Sequence, residues 1–247
     1  YLLEVNARYD GSSKFQPHNR WDFFYGLSGG WRMTEEPFLA NIKSVFDELK
    51  LKLSYGQVGN QSGIDRYDGI QFYSFKSKGG AFVDGDFLSY ISAGSIVSQD
   101  RHWERIHNYN IGLDFAVLNR RLSGSVDLFM KRNNNMLVSK VYSGILGATA
   151  PALNDGKFES KGYEGSINWQ DKIGEVSYHA GGTFTYMTNK LKSGGTDMIS
   201  AGYNEAVNGY PLNSVFGYRY VGKIQNETQL KKYTDRYLAS NTIGMPS

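Results

Sequence analysis

The constraint that most limits this chain is a strict two-residue alternation sustained over unusually long runs. Read in steps of two, Tyr1, Leu3, Val5, Ala7 and Tyr9 share one face of an extended chain, and Leu2, Glu4, Asn6, Arg8 and Asp10 share the other. A polar break, Gly11–Asn19, follows. The alternation then resumes, with Trp21, Phe23, Tyr25, Leu27, Gly29 and Trp31 opposed by Asp22, Phe24, Gly26, Ser28, Gly30 and Arg32. Successive side chains on a strand point to opposite sides, so each run is a strand with one apolar and one mostly polar face. Each run is about ten residues or longer, against a usual five or six. Long strands, dyad alternation and aromatic ends are the pattern of a transmembrane β-barrel.

The same pattern recurs along the chain. Leu49, Leu51, Leu53 and Tyr55 alternate with Glu48, Lys50, Lys52 and Ser54. His102–Asn119 forms a long strand whose apolar face is clean from Tyr109 onward, leaving Arg105 and His107 above the membrane. Leu118-Asn119-Arg120-Arg121 is a tight turn into Leu122–Lys131, and Gln170–Gly174 turns Tyr163–Trp169 into Val176–Tyr186. A short helix over about Phe38–Phe46 follows Thr34 and Pro37. Val215–Ile224 reads as one more strand, and the polar tail to Ser247 has no clear pattern. Long connections are expected near 59–102, 134–158 and 191–214, the first holding two weaker strands, Tyr67–Lys76 and Ala81–Tyr90. Some seven or eight strands in up-and-down order result, with short and long connections alternating. In barrels of this class the long connections face outward and the short turns face the periplasm.

Composition is compatible with this architecture. The mean hydropathy of −0.46 is low, but a barrel's polar face and loops bring its average down. No run of about 18 apolar residues exists, so no transmembrane helix is expected. A net charge of +3 over 247 residues is too small to argue for nucleic acid. The absence of cysteine excludes disulfide and cysteine–metal frameworks and fits an envelope location. The chain starts at Tyr1 without a signal-type segment and reads as cut from something longer.

Few residues suggest chemistry. Trp21, Trp31, Trp103 and Trp169 suit aromatic girdles, Trp21 and Trp103 toward the outer rim, Trp31 and Trp169 toward the periplasmic rim; the alternative is the core of a soluble sheet. Tyr67, Phe72, Tyr73, Phe75 and Tyr90, with Asp84 and Asp86, lie in or near the longest connection and suit contact with a sugar or peptide; the alternative is loop packing or contact with a partner. Asp84-Gly85-Asp86 is too short for a calcium loop. His18, His102, His107 and His179 lack metal-ligand spacing, so neither a metal nor a cofactor is expected. Glu35-Glu36 favours a helix start. No nucleophile elbow or phosphate-cradling loop is present, and no catalytic residue is assigned. Glu4, Arg8, Asp22, Arg32, Lys52, Glu164 and His179 are expected to face a lumen.

Several stretches resemble the SusC/RagA family of TonB-dependent outer-membrane transporters. They are Tyr1–Phe15, Gly30-Trp31-Arg32, Leu53–Gln61, Asn110–Phe115, Arg121–Asp127, Lys161-Gly162-Tyr163-Glu164 and Gly209-Tyr210-Pro211-Leu212, matching in order and spacing across nearly the whole chain. The resemblance implies an all-β fold, part of a 22-stranded barrel in the bacterial outer membrane, with plug, TonB-binding segment and remaining strands outside this stretch. It implies import of a glycan or peptide oligomer, a SusD-like lipoprotein partner, TonB engaged through the missing N-terminal part, and no enzymatic activity. Two other classes stay open on the residues alone. A small outer-membrane barrel enzyme requires clustered acid/base groups in the outer loops. A soluble all-β binding module requires shorter strands and fewer outward aromatics.

Overall fold

In the computed structural model, residues 1–139, 151–196, 202–220 and 222–241 are described. The elements in chain order are β1 (Leu2–Gly11), β2 (Trp21–Arg32), β3 (Phe46–Asn60), β4 (Tyr73–Lys76), β5 (Phe82–Val83), β6 (Asp86–Phe87), β7 (Tyr90–Ala93), β8 (Glu104–Val117), β9 (Leu122–Ser139), β10 (Ala152–Ile173), β11 (Val176–Ser193), β12 (Gly202–Glu205), β13 (Ser214–Phe216) and α1 (Glu227–Asn241). Seven of the strands make one sheet in the order β1-β2-β3-β8-β9-β10-β11, every pair antiparallel. Hairpin topology follows from the turn residues. Four residues, Leu118–Arg121, join β8 to β9, and Leu118, Asn119 and Arg120 all take left-handed φ. Such a run is unfavourable for residues with a Cβ. It is tied down by Arg120 N–H donating to Asp47 Oδ2 at 2.8 Å and by Gln170 Nε2 donating to the Arg120 carbonyl at 3.1 Å. Gly174 supplies a φ of +64° in the two-residue turn between β10 and β11.

Several elements differ from the sequence-based expectation. The helix after Thr34 is a 3₁₀ segment, Pro37–Ser44. The described parts of the stretch read as a loop over 134–158 are strand, because β9 continues to Ser139 and β10 begins at Ala152; its centre, 140–150, lies outside the described residues. Two irregularities in register, at Asn154/Gly156 and Gly156/Phe158, break the alternation there and hide the strand from a period-two search. The described residues of Val215–Ile224 do not join the sheet: Ser214–Phe216 pairs with β12 instead. In the 61–103 connection, β4 pairs with β7 and β5 with β6 around Asp84-Gly85, both at positive φ as a type I′ hairpin turn requires. The tail holds a helix. Asn226 Oδ1 accepts from Gln229 N–H at 2.9 Å at its start, an N-cap that Asn-x-x-Gln signals in the sequence.

The main hydrophobic cluster sits at the long-loop end of the sheet. Above Gly26↔Gly56 the β2–β3 ladder stops, although β3 stays paired with β8 up to Asn60↔Glu104. Phe24 fills the opening; a Cβ at Gly59 would collide with its ring. Trp103 packs against Phe24 (5.7 Å between centroids) and Phe15 (5.1 Å), with Ile64 completing the cluster. Trp103 is thus 5% exposed and is not on the outward face, which corrects its assignment to a girdle. It lies just before β8, where strand alternation no longer sets its direction, and its indole N–H donates to the Arg20 carbonyl at 3.1 Å.

Beside it the buried Glu104 carboxylate accepts from Asn60 Nδ2 (2.9 Å), Asn133 Nδ2 (2.8 Å) and Leu137 N–H (2.7 Å). Asn135 Nδ2 donates to the Trp103 carbonyl at 2.8 Å, and Asn154 Nδ2 donates to the carbonyls of His102 and Asn135, each at 3.0 Å. Asparagine side chains thus stitch the extended ends of β8, β9 and β10 together.

Trp103→Ala is expected to cost about 3–5 kcal/mol of local packing and to expose 61–103 to limited proteolysis, whereas Trp21→Ala leaves that segment protected. Glu104→Ala removes the acceptor of three donors. Amide exchange at Leu137 is expected to accelerate, consistent with about 1.5–3 kcal/mol for a hydrogen bond to a charged group, with Leu53 and Ile111 unchanged.

Candidate functional site

The registers align the apolar faces of all seven strands. Leu3 pairs with Gly29, Gly29 with Leu53, Leu53 with Ile111, Ile111 with Leu128, Leu128 with Tyr163 and Tyr163 with Tyr186. The next row joins Trp31, Leu51, Leu113, Val126, Gly165 and Phe184. Most large residues of this face, among them Leu3, Val5, Leu27, Leu53, Ile111, Val126, Leu128, Ile167 and Phe184, are exposed. A contiguous apolar surface of this extent does not stand free in water.

Aromatic rings edge it on the long-loop side. Tyr9 stacks on Trp21 at 5.3 Å, Tyr25 meets Tyr55 at 5.8 Å, Tyr55 meets Tyr109 at 5.1 Å and Tyr163 meets Tyr186 at 5.4 Å. This edge is mainly tyrosine, which a search for tryptophan overlooks; tyrosines at or near the upper end of every apolar run but that of β9 were the available signal. Trp31 and Trp169 lie partly exposed at the opposite end, Trp31 donating to Glu36 Oε1 at 3.0 Å.

The belt is oblique to the strands. Tyr9, uppermost on β1, stands six residues above Leu3, the residue in register with Tyr186, uppermost on β11 six strand-to-strand steps away. One residue per strand is about 3.4 Å along for about 4.8 Å across. A level belt then requires strands inclined about 35°, at the lower end of the range for transmembrane barrels.

The other face is polar. Lys52 Nζ lies 2.6 Å from Asp114 Oδ1 and 3.5 Å from Asp127 Oδ1, joining β3, β8 and β9. Gly112 makes room for the group, since a Cβ there would strike Asp127. These groups are partly solvated, so each pair contributes at most about 1 kcal/mol. Ser125 and Ser166 hydroxyls are 2.8 Å apart on the same face. Among the described residues no group of three or more His, Asp or Glu could hold a metal ion.

The seven loop candidates do not converge on one cavity. Tyr67 and Phe72 form an edge-on pair at 6.4 Å. Tyr73 and Phe75 share one exposed face of the β4–β7 ribbon with Ile91. Tyr90 lies over Gly79 and Gly80, and Asp84 and Asp86 sit at the hairpin tip. The base of the connection is anchored by Ser12 Oγ on Gln61 Oε1 at 2.6 Å and by Gln16 on the Gly69 carbonyl, and is closed on itself by Arg101 Nη1 on Asp68 Oδ2 at 2.7 Å.

Comparison with known proteins agrees with this geometry. Residues 1–241 match the family described as TonB dependent receptor-like, beta-barrel. The chain is 31% identical over 239 residues to the TonB-dependent receptor SusC of Bacteroides thetaiotaomicron, covering 90% of this chain and 24% of that receptor. It is 29% identical over 202 residues to the TonB-dependent receptor P26 of Formosa agariphila, covering 81% of this chain and 20% of that one. Among solved structures, the RagAB peptide transporter superimposes with a TM-score of 0.69 at 24% identity, covering 85% of this chain and 23% of that chain. The chain spans about a quarter or less of the length of these relatives. With nearly every residue matched and the apolar belt and polar face both in register, this chain belongs to the TonB-dependent receptor-like β-barrel family, as part of a barrel wall.

Proposed function

We propose that this chain forms part of the wall of an outer-membrane importer that takes up an oligomeric nutrient, a glycan or a peptide. The observation that carries the reading is the apolar belt running in register across seven strands, backed by membership of a transport family. The belt faces lipid and the Lys52–Asp114–Asp127 face lines the lumen. The exposed ribbon of Tyr73, Phe75 and Ile91 stands at the outer mouth, where a captured oligomer passes. Aromatic faces with a few polar groups suit both sugars and peptides. A SusD-like lipoprotein lids the mouth, and TonB supplies energy through a plug encoded elsewhere in the protein. Trp21 belongs to the outer girdle, Trp31 and Trp169 to the periplasmic one.

Uptake of labelled oligosaccharides and of labelled peptides by cells expressing the full-length receptor tests this. One of the two is expected to accumulate and to stop when TonB is deleted, and Tyr73→Ala/Phe75→Ala is expected to reduce the rate about tenfold, the loss of two ring contacts. TonB-independent uptake, or recovery of the receptor in the soluble fraction, would contradict the reading.

A further inference from the structure

Directly above the tyrosine edge on β8–β11, the outward face changes from apolar to basic. Lys161 is the next outward residue after Tyr163 and pairs in register with Met130 and Thr188. One row higher, His107, Arg132, Glu159 and Lys190 are register partners in that order across the four strands. Glu159 is the only carboxylate of this group. Arg132 Nε lies 3.1 Å from its Oε2 and Lys192 Nζ 3.7 Å from its Oε1. Lys161 and Lys190 are exposed and have no ion-pair partner among the described residues. Four cations thus surround one carboxylate. Below them, the outward face is hollowed into an apolar trough of about 610 Å³, with Gly29 between Leu27, Leu53, Tyr109, Ile111 and Met130.

We infer that Arg132, Lys161, Lys190 and Lys192 hold the phosphate of an acylated, phosphorylated outer-leaflet lipid, with an acyl chain in the trough beneath. The inference rests on the outer-membrane reading above, which places the long-loop end at the outer leaflet. Three features favour a membrane lipid as occupant. Tyrosine marks the headgroup level of a bilayer, so the cations one to three rows above it stand where lipid phosphates lie. Their net charge is opposite to a phosphate, and clustered basic side chains beside a membrane span bind such head groups. Finally, Met130 at the β9 edge of the trough is followed on the same face of that strand by Arg132, the first cation of the cluster. Free anions have no use for the trough, and neutral lipids none for the cations.

The test is native mass spectrometry of the full-length receptor, released from detergent with three probes: phosphorylated lipid A, the same lipid A with its phosphates removed, and inorganic phosphate. The receptor is expected to retain phosphorylated lipid A in preference to the dephosphorylated form and to keep it when inorganic phosphate is added. At about fivefold per removed charge, Lys161→Gln is expected to weaken retention about fivefold and Arg132→Gln/Lys161→Gln/Lys190→Gln roughly 100-fold, while Lys131→Gln on the opposite face changes nothing. Equal retention of the two lipids, undiminished retention by the triple variant, or displacement by inorganic phosphate would overturn the inference. Heat-modifiable gel mobility of the same samples separates the two levels. A retained mobility shift without lipid selectivity sinks this site alone, whereas a wild-type receptor that shows no shift sinks the barrel reading beneath it.

Discussion

Every backbone N–H and C=O inside a bilayer must find its partner within the protein, because lipid offers none. That requirement makes the hydrogen-bond ladder of the seven strands the feature on which the rest depends. The ladder fixes register, and register decides which side chains share a face. A slip of one residue between β3 and β8 would bring Lys52 beside Ile111 and Ser54 beside Tyr109 and turn one strand's apolar side into the polar face. The cross-strand tyrosine contacts resist that slip, since Tyr55 reaches both Tyr25 and Tyr109 only in the observed pairing. The one-residue climb of the belt per strand is the same register expressed as strand inclination.

Where the ladder opens, side chains take over its role. Above Gly26↔Gly56, β2 parts from β3, and the opening is filled by Phe24 and Trp103 and bridged by the Arg105–Asp22 ion pair. Glu104 and the asparagines of β9 and β10 then satisfy backbone groups that no neighbouring strand reaches. The rim is therefore a packed, hydrogen-bonded collar rather than a continuation of the membrane wall. From it the 61–103 connection projects, anchored at its base and carrying its exposed aromatic ribbon beyond. A two-stranded ribbon alone is marginal in water, so its apolar side is suited to being covered by a ligand or partner.

The sheet was legible because each strand within the belt obeys a single rule: the inside–outside alternation that lipid enforces at every other residue. The hairpin turns at Leu118–Arg121 and Gly174 were legible for the same reason, since each interrupts a clean pattern. Legibility failed beyond the membrane, where both faces are wet and asparagine is as acceptable as valine. Asn133, Asn135 and Asn154 look like loop residues, yet they lie in strands because their amides bond the collar. Trp103 misled because its residue type suits a girdle, while its position just outside β8 lets it turn inward. The Asp84-Gly85 hairpin turn was available from the dipeptide alone, and weighing its carboxylates only as ligand contacts obscured that. The cations above the tyrosines were readable as residues but not as a cluster, since only register brings β8, β9, β10 and β11 into one row.

The central claim, that one face of this sheet meets lipid and the other water, is tested most directly by single spin labels placed at adjacent positions on the full-length receptor in bilayers. Single cysteines at Leu53, Ile111 and Val126 are expected to be relaxed by lipid-dissolved oxygen, and those at their neighbours Ser54, Asn110 and Ser125 by a water-soluble nickel chelate. Equal relaxation of both sets by nickel, with no alternation along β3, β8 and β9, would contradict the account.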